Sequence, residues 1–225
     1  MKPLESTSDP RDEAGSTAAF IEAQPRLLEA TRLAWLWHGD QTRKGKPTSY
    51  MSHLLQVEGL VIDYGGGPDE AIAALLHDSL EDAESPADRT ARAREIESHF
   101  GPRVLRIVLD CTDTMSTEAG QSKGAWRKRK KRYLAQLREA EGSSRLVAAC
   151  DKRHNLGDLV SDLRSEGLAT LDRFNADGPE QLWYYESVVS ICRSAVPTRL
   201  TIELDALVRE LGSLVHQQGD GKKTG

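Results

Sequence analysis

Four ionisable side chains follow an apolar run in the first half of the chain. The run ends at Leu76 and is followed by His77 and Asp78, then by Glu81 and Asp82. The apolar spacing predicts a helix from residue 70 to about residue 81, on which side chains four apart share a face. Carboxylates crowded on one helix end repel one another, and a divalent cation compensates that repulsion. The pattern therefore predicts a metal site at the end of a buried helix.

Two further side chains have the chemistry of metal ligands. His53 lies on an otherwise apolar helical stripe, and Asp151 follows small and apolar residues within another predicted helix. Each alone suits an ordinary buried polar residue, whereas one metal accounts for both of them and for the histidine–aspartate pair. Two imidazoles and two carboxylates suit Mn, Fe, Zn or Ni better than Ca or Mg. Such an ion keeps positions for water, which Glu81 and Asp82 are placed to orient or deprotonate. These residues indicate metal-assisted hydrolysis.

The elements that must position these residues are predicted to be helices. Apolar residues recur with helical spacing nearly everywhere, and no stretch alternates with a period of two. We therefore expect an all-α domain of about eight helices over residues 18–215. Residues 1–17 and 216–225 are polar and rich in small residues, which is typical of disordered tails. The long helix that carries Asp151 is expected to be capped by Ser143 or Ser144.

Composition excludes several classes of function. The chain has 225 residues and a net charge of -5, which does not favour a protein that binds bulk nucleic acid. No segment is long and apolar enough to span a bilayer, so no membrane partner is expected. Three scattered cysteines are too few for a disulfide framework and fit a reducing cytoplasm. Nothing in the sequence indicates an oligomeric state.

Four motifs resemble one known family. They are QTRKGKPTSYMSH, AALLHDSLEDA, HFGPRVLRIVLDCTDT and DKRHNLGDL, in that order. Together they resemble the hydrolase domain of RelA/SpoT proteins and the single-domain small alarmone hydrolases, which are HD-domain phosphohydrolases. The resemblance covers about residues 26–195. It implies an HD-domain helical bundle around a metal site and, because no synthetase region follows, an enzyme that only degrades alarmones of the stringent response. Ser49 and Leu54 stand where the family usually has proline.

The resemblance also implies an activity and a set of residues. Family members remove pyrophosphate from the 3′ position of (p)ppGpp, usually with Mn²⁺, and we expect one such ion per chain or another divalent transition metal in its place. The implied metal ligands are His53, His77, Asp78 and Asp151, with Glu81 and Asp82 acting on the nucleophilic water. The implied substrate contacts are Arg43, Lys44, Tyr50, Asn155 and Tyr184. In the basic segment that follows the Thr-Asp loop, Lys123, Arg127 or Lys128 is expected nearest the substrate.

Several alternatives stay open at this point. The same chemistry would serve the adenine nucleotides (p)ppApp, because no residue in the sequence identifies the base. A different HD nucleotide phosphatase and a non-catalytic nucleotide-binding module are two further candidates. The basic run at residues 127–132 suits either an ordinary solvated face or a phosphate-binding rim. The predicted partner is a small nucleotide polyphosphate.

Overall fold

The chain folds into a set of packed helices. The computed structural model describes residues 16–113 and 123–220, without the side chains of 123–125 and 217–220. Within these ranges there are α-helices, one 3-10 helix at Gly167–Arg173 and no strand, so the all-α prediction is confirmed. The α-helices number nine in the described residues, against about eight expected. They are α1 Thr17–His38, α2 Met51–Asp63, α3 Pro68–Leu76, α4 Pro86–Phe100, α5 Pro102–Cys111, α6 Lys123–Glu139, α7 Gly142–Glu166, α8 Gly178–Cys192 and α9 Thr198–Asp220.

Helix α3 is the central helix of the fold. It starts with Pro68, whose fixed φ suits the first helical position, and the Glu70 carboxylate accepts a hydrogen bond from the Gly67 N–H at 3.1 Å. Every residue from 70 to 76 is buried. Alanines make up much of this stretch, so α1, α2, α5 and α7 all pack closely against α3. The end of α3 is consequently surrounded by protein on several sides.

Helix α7 connects the two apolar clusters of the molecule. Its first half packs into the larger cluster together with α2, α3 and α5. Its second half contributes Leu156, Leu159, Val160 and Leu163 to a smaller cluster, which it shares with α8 and α9. Asp151 lies between the two halves and is itself buried. The long helix therefore carries this carboxylate to the boundary of the two clusters.

Helix α3 ends earlier than its sequence predicts. The helix stops at Leu76, and residues 77–81 form consecutive turns, so the prediction of a helix to about residue 81 is wrong. The Ser79 carbonyl accepts a hydrogen bond from Arg92 of α4 at 3.1 Å, which satisfies it without a longer helix. The Asp82 N–H still bonds the Asp78 carbonyl at 3.0 Å. The acidic side chains thus lie on a tight turn after the helix.

The start of α7 also differs from its prediction. The helix begins at Gly142, and neither expected serine caps it, because both bind other helices. The Ser143 hydroxyl donates to the Glu70 carboxylate at 2.6 Å, and the Ser144 hydroxyl donates to Asp110 at 2.8 Å. These two bonds attach the beginning of α7 to α3 and α5.

The predicted tails fall mostly beyond the described ranges. Residues 1–15 and 221–225 lie outside them, α1 begins at Thr17, and α9 continues to Asp220. Residues 216–220 are therefore helical, although the sequence assigned them to a tail. Among the described helices, none combines the length and apolar character that crossing a membrane requires.

Candidate active site

Four side chains from three parts of the chain meet at the end of α3. His53 comes from the first turn of α2, His77 and Asp78 follow α3, and Asp151 comes from the middle of α7. Asp151 Oδ1 lies 3.3 Å from His53 Nε2 and 3.7 Å from His77 Nε2. Asp78 Oδ2 lies 3.0 Å from His77 Nε2 and 3.7 Å from His53 Nε2. The structure thus brings the four predicted metal ligands together.

The two imidazoles present their Nε2 atoms to this group. His77 Nδ1 lies 2.7 Å from the Ala74 carbonyl oxygen, which can only accept, so Nδ1 carries the proton and donates it. When the ring is neutral and binds a cation, its lone pair is therefore on Nε2. Both His53 Nε2 and His77 Nε2 are buried and have no hydrogen-bond partner among the described residues. Buried polar atoms without a partner are costly, and a bound cation would remove that cost.

The geometry fits a transition-metal ion. Ligand atoms at right angles around an ion, each about 2.1 Å from it, are about 3 Å apart. The separations between histidine nitrogens and carboxylate oxygens in this group are close to that value. His53, His77 and Asp151 offer ligand atoms that all lie within 4.8 Å of one another. These residues, of which the two histidines have buried Nε2 atoms without a hydrogen-bond partner in the described residues, are the ones that would hold a divalent metal.

The carboxylates are ready to bind a cation because they stay ionised. Burial alone would raise the pKa of Asp151, but the pKa is held well below its usual range, and the charge of Lys152 is the largest influence that lowers it. Lys152 Nζ contacts the Asp151 carboxylate directly. The hydroxyl of Tyr50 donates to Asp78 Oδ2 at 2.5 Å. Burial and the charge of Asp78 raise the pKa of Tyr50 well above its usual value, so it remains a donor.

Glu81 and Asp82 point to different sides of the group. Glu81 Oε2 accepts a hydrogen bond from the Asp113 N–H at 3.1 Å, and burial together with the charge of Asp78 raises the pKa of Glu81 to about 7. Asp82 Oδ2 instead lies 3.5 Å from Nδ1 of the buried His38. The sequence grouped the two acids in one role, whereas the structure gives them different neighbours.

A cavity of about 300 Å³ adjoins the four-residue group. A short hairpin before α2 supplies several of its cations, and Gly45 at its tip has a φ of 72°, which favours glycine. Helices α6, α7 and α8 supply most of the rest of the lining, and Phe174 comes from the segment after the 3-10 helix. The predicted substrate contacts that line the cavity are Arg43, Lys44, Tyr50, Asn155 and Tyr184. Further basic and aromatic lining residues are Lys46, Trp126, Lys130, Lys152, Phe174 and Tyr185.

Carboxylates of α7 position the cations of the hairpin. Arg43 donates to the Asn155 side-chain oxygen at 2.7 Å and to Asp158 at 3.1 Å. Lys46 donates to Asp162 at 2.6 Å. Asn155 in turn donates to Asp151 Oδ1. The same helix therefore holds a metal-ligand candidate and orients the basic hairpin beside it.

Two lysines line the cavity next to aromatic rings. Lys130 Nζ lies 4.6 Å from the Tyr184 ring centroid, and Lys152 Nζ lies 5.6 Å from that of Tyr133. Burial would lower the pKa of Lys130, but Tyr184 and Asp113 raise it above its usual value, so this lysine stays charged. The hydroxyls of Tyr133 and Tyr184 are buried without a hydrogen-bond partner in the described part of the chain. Of these two tyrosines only Tyr184 lines the cavity, and cations together with a free hydroxyl donor suit a polyanionic ligand.

The basic residues selected from the sequence lie elsewhere on α6. Arg127 bonds Glu180 at 2.7 Å and stacks over the Trp183 ring at 4.1 Å, and Lys128 is exposed. Neither lines the cavity, whereas Lys130 does. Lys123 begins α6, and its side chain lies outside the described residues. The direction in which each lysine points depends on how α6 rotates against α8, and the basic run alone contains no signal of that rotation.

The sequence reading missed several residues of the site. Lys152 directly follows Asp151, and His154 lies one turn further along α7, so their spacing from a predicted ligand was an available signal. His154 Nδ1 lies 3.0 Å from His53 Nδ1. Burial and the neighbouring His53 lower the pKa of His154 to about 4, so its ring is neutral near pH 7. His38, which stacks on Tyr50, had no sequence signal.

Comparisons with known proteins show which family and which solved structures this chain resembles. The HD domain family model matches residues 30–172. Guanosine-3′,5′-bis(diphosphate) 3′-pyrophosphohydrolase MESH1 of Mus musculus is 33% identical over 137 residues, which are 60% of this chain and 69% of the relative.

Two solved structures are similar in fold. A metazoan orthologue of SpoT, described as hydrolysing ppGpp, has a TM-score of 0.64 at 24% identity and covers 83% of this chain and 96% of its own. The protein lmo0812 of Listeria monocytogenes EGD-e has a TM-score of 0.57 at 26% identity, with coverages of 70% and 96%. The chain belongs to the HD-domain family and, within it, to the hydrolases related to MESH1.

Proposed function

We propose that this protein is a Mn²⁺-dependent hydrolase that removes the 3′-pyrophosphate of guanosine alarmones. Water adds to the phosphorus bonded to the 3′ oxygen, the bond between that phosphorus and the 3′ oxygen breaks, and the 3′ hydroxyl is restored. The products are pyrophosphate and GDP or GTP. Relatives named as 3′-pyrophosphohydrolases of this nucleotide support the substrate assignment.

The observation that carries the proposal is the direct connection between the cavity and the metal-ligand candidates. Tyr50, Lys152 and Asn155 line the cavity, and each also bonds a carboxylate of the four-residue group. A phosphate held in the cavity therefore lies next to that group. The basic lining matches a substrate with several phosphates, and a volume of about 300 Å³ is in the range of small-molecule sites.

Different residues of the chain have different roles in the proposed reaction. His53, His77, Asp78 and Asp151 would hold the metal, which when bound stabilises negative charge on a phosphoryl oxygen and acidifies water. Glu81, with its raised pKa, accepts the proton of the attacking water. The cavity lysines and Arg43 hold the negative charges of the substrate. Asp82 lies on the opposite side, near His38, which stacks on Tyr50.

The test is hydrolysis of four nucleotides by the purified protein with Mn²⁺. We expect ppGpp and pppGpp to yield pyrophosphate together with GDP or GTP, as separated by chromatography. Faster turnover of ppApp and pppApp would establish the adenine alternative instead. Release of inorganic phosphate alone would indicate a different HD nucleotide phosphatase, and binding without turnover would indicate a non-catalytic module.

Changing Lys130 to methionine should weaken substrate binding. Methionine keeps most of the aliphatic volume but removes the charge that lies beside Tyr184 and bonds Asp113 at 2.7 Å, and a hydrogen bond from a charged group contributes about 1.5–3 kcal/mol. We expect KM for ppGpp to rise about 10- to 100-fold. Lys128→Met is the matched control, because Lys128 lies on the same helix but is exposed. Equal KM values for the two variants would contradict the assignment of Lys130.

The state of the three cysteine thiols indicates in which cellular compartment the protein acts. Cys111, Cys150 and Cys192 are all free and buried. Burial raises the pKa of each thiol, which keeps it protonated and unreactive. Free thiols fit a reducing compartment, and we place the proposed reaction in the cytoplasm.

A further inference from the structure

His154 contacts one of the candidate metal ligands through a single, well-defined hydrogen bond. Its Nδ1 lies 3.0 Å from His53 Nδ1, and both rings are buried. The ring centroids are 4.8 Å apart with an interplanar angle of 58°, so the rings meet at their nitrogen edges and are not stacked. Asp158 Oδ2 lies 3.9 Å from the same nitrogen of His154, which is too far for a hydrogen bond.

The proton between the two rings has only one arrangement that leaves His53 able to bind a cation. His53 Nε2 faces Asp151 Oδ1 at 3.3 Å and has no hydrogen-bond partner in the described residues. A ligand nitrogen must have a free lone pair, so the proton of a neutral His53 must be on Nδ1. His53 Nδ1 then donates, and His154 Nδ1 accepts.

We propose that His154 is a positioning residue, which fixes the tautomer and the ring orientation of His53. Ligand histidines in metalloproteins usually donate their second nitrogen to an acceptor, and that acceptor sets the ligand geometry. His77 uses the backbone carbonyl of Ala74 for this purpose. His53 has instead a side chain of another helix, and that helix also carries Asp151 one turn earlier. Helix α7 therefore both supplies one ligand and orients a second.

This inference rests on the metal-dependent part of the proposed function and not on its substrate. If the wild-type protein binds Mn²⁺ but does not hydrolyse ppGpp, the proposed substrate fails while the role of His154 can still be tested. The experiment therefore measures Mn²⁺ affinity by calorimetry on the full chain without nucleotide. Visible absorption of the Co²⁺-loaded protein reports the coordination geometry in parallel.

Three variants separate the hydrogen bond from the packing of the ring. His154→Asn keeps an oxygen near the position of Nδ1, His154→Gln places its amide near the position of Nε2, and His154→Leu has no acceptor. We expect His154→Leu to weaken Mn²⁺ affinity about 10- to 100-fold and to alter the Co²⁺ spectrum. His154→Asn should retain most of the affinity and the wild-type spectrum, and His154→Gln should resemble the leucine variant. Thermal melting of the metal-free proteins shows whether each variant is folded.

Two results would overturn the proposal. One is wild-type affinity and an unchanged Co²⁺ spectrum in a folded His154→Leu variant. The other is an equal loss of affinity in the asparagine and glutamine variants, since the position of the acceptor would then have no effect. The comparison of the asparagine and glutamine variants tests the role of His154 even if the leucine variant does not fold.

Discussion

His77→Ala abolishes tight binding of Mn²⁺ and lowers turnover of the nucleotide about 10³-fold or more. A Lewis acid contributes several kcal/mol of transition-state stabilisation, and each 1.4 kcal/mol or so is a factor of ten in rate. The Nε2 atom that the variant loses is buried and unpartnered among the described residues, 3.0 Å from Asp78 and 3.7 Å from Asp151. Without it the two carboxylates remain close together with one imidazole fewer to hold a cation.

Calorimetry with Mn²⁺ and a rate measurement at saturating metal check this expectation together. His99→Ala is the control, because it removes an exposed imidazole that pairs with Glu29 outside the site. We expect the control to bind Mn²⁺ and to turn over the substrate like the wild type. A folded His77→Ala variant with wild-type metal affinity would contradict the whole assignment of the four ligands.

Glu81→Gln lowers kcat about 10²- to 10⁴-fold, the usual contribution of a general base. Glutamine keeps an oxygen that can accept the Asp113 N–H, so the turn after α3 is preserved. Affinity for Mn²⁺ should change little, because Glu81 is not one of the four ligands. Asp82→Asn is the comparison variant, since its carboxylate faces His38 and not Asp113. A Glu81→Gln variant with full turnover would exclude Glu81 as the base.

The pH profile gives a second test of Glu81. A base works only when deprotonated, so activity must rise as pH increases through its pKa. Burial and Asp78 raise the pKa of Glu81 to about 7, and the positive charge of a bound cation would lower it. We therefore expect the acidic limb of the kcat profile at or below pH 7 in the wild type. That limb should be missing in the Glu81→Gln variant, measured from pH 5 to 9 with constant Mn²⁺ saturation.

The residue types themselves carried the prediction of the ligand set. Histidine and aspartate are rarely buried without a reason; His77, Asp78 and Asp151 follow apolar runs, and His53 lies on an apolar helical stripe. Helical periodicity likewise predicted an all-α fold, since the spacing of apolar residues is a local property of the chain. Neither prediction needed knowledge of which helices touch. The predicted position of the end of α3 was wrong because it depends on Arg92, which bonds the Ser79 carbonyl and comes from a different helix.

The sequence by itself thus determined the helical class and the residues that could bind a metal, because both depend on residue type and local spacing. Tertiary structure decided which cations face the cavity, which acid faces Asp113 and which acceptor orients His53. These properties depend on the rotation of α6 and on the approach of α7 to α2. A run of six basic residues has the same sequence signal whichever face it turns inward. Only packing against α8 places Lys130 in the cavity and leaves Lys128 exposed.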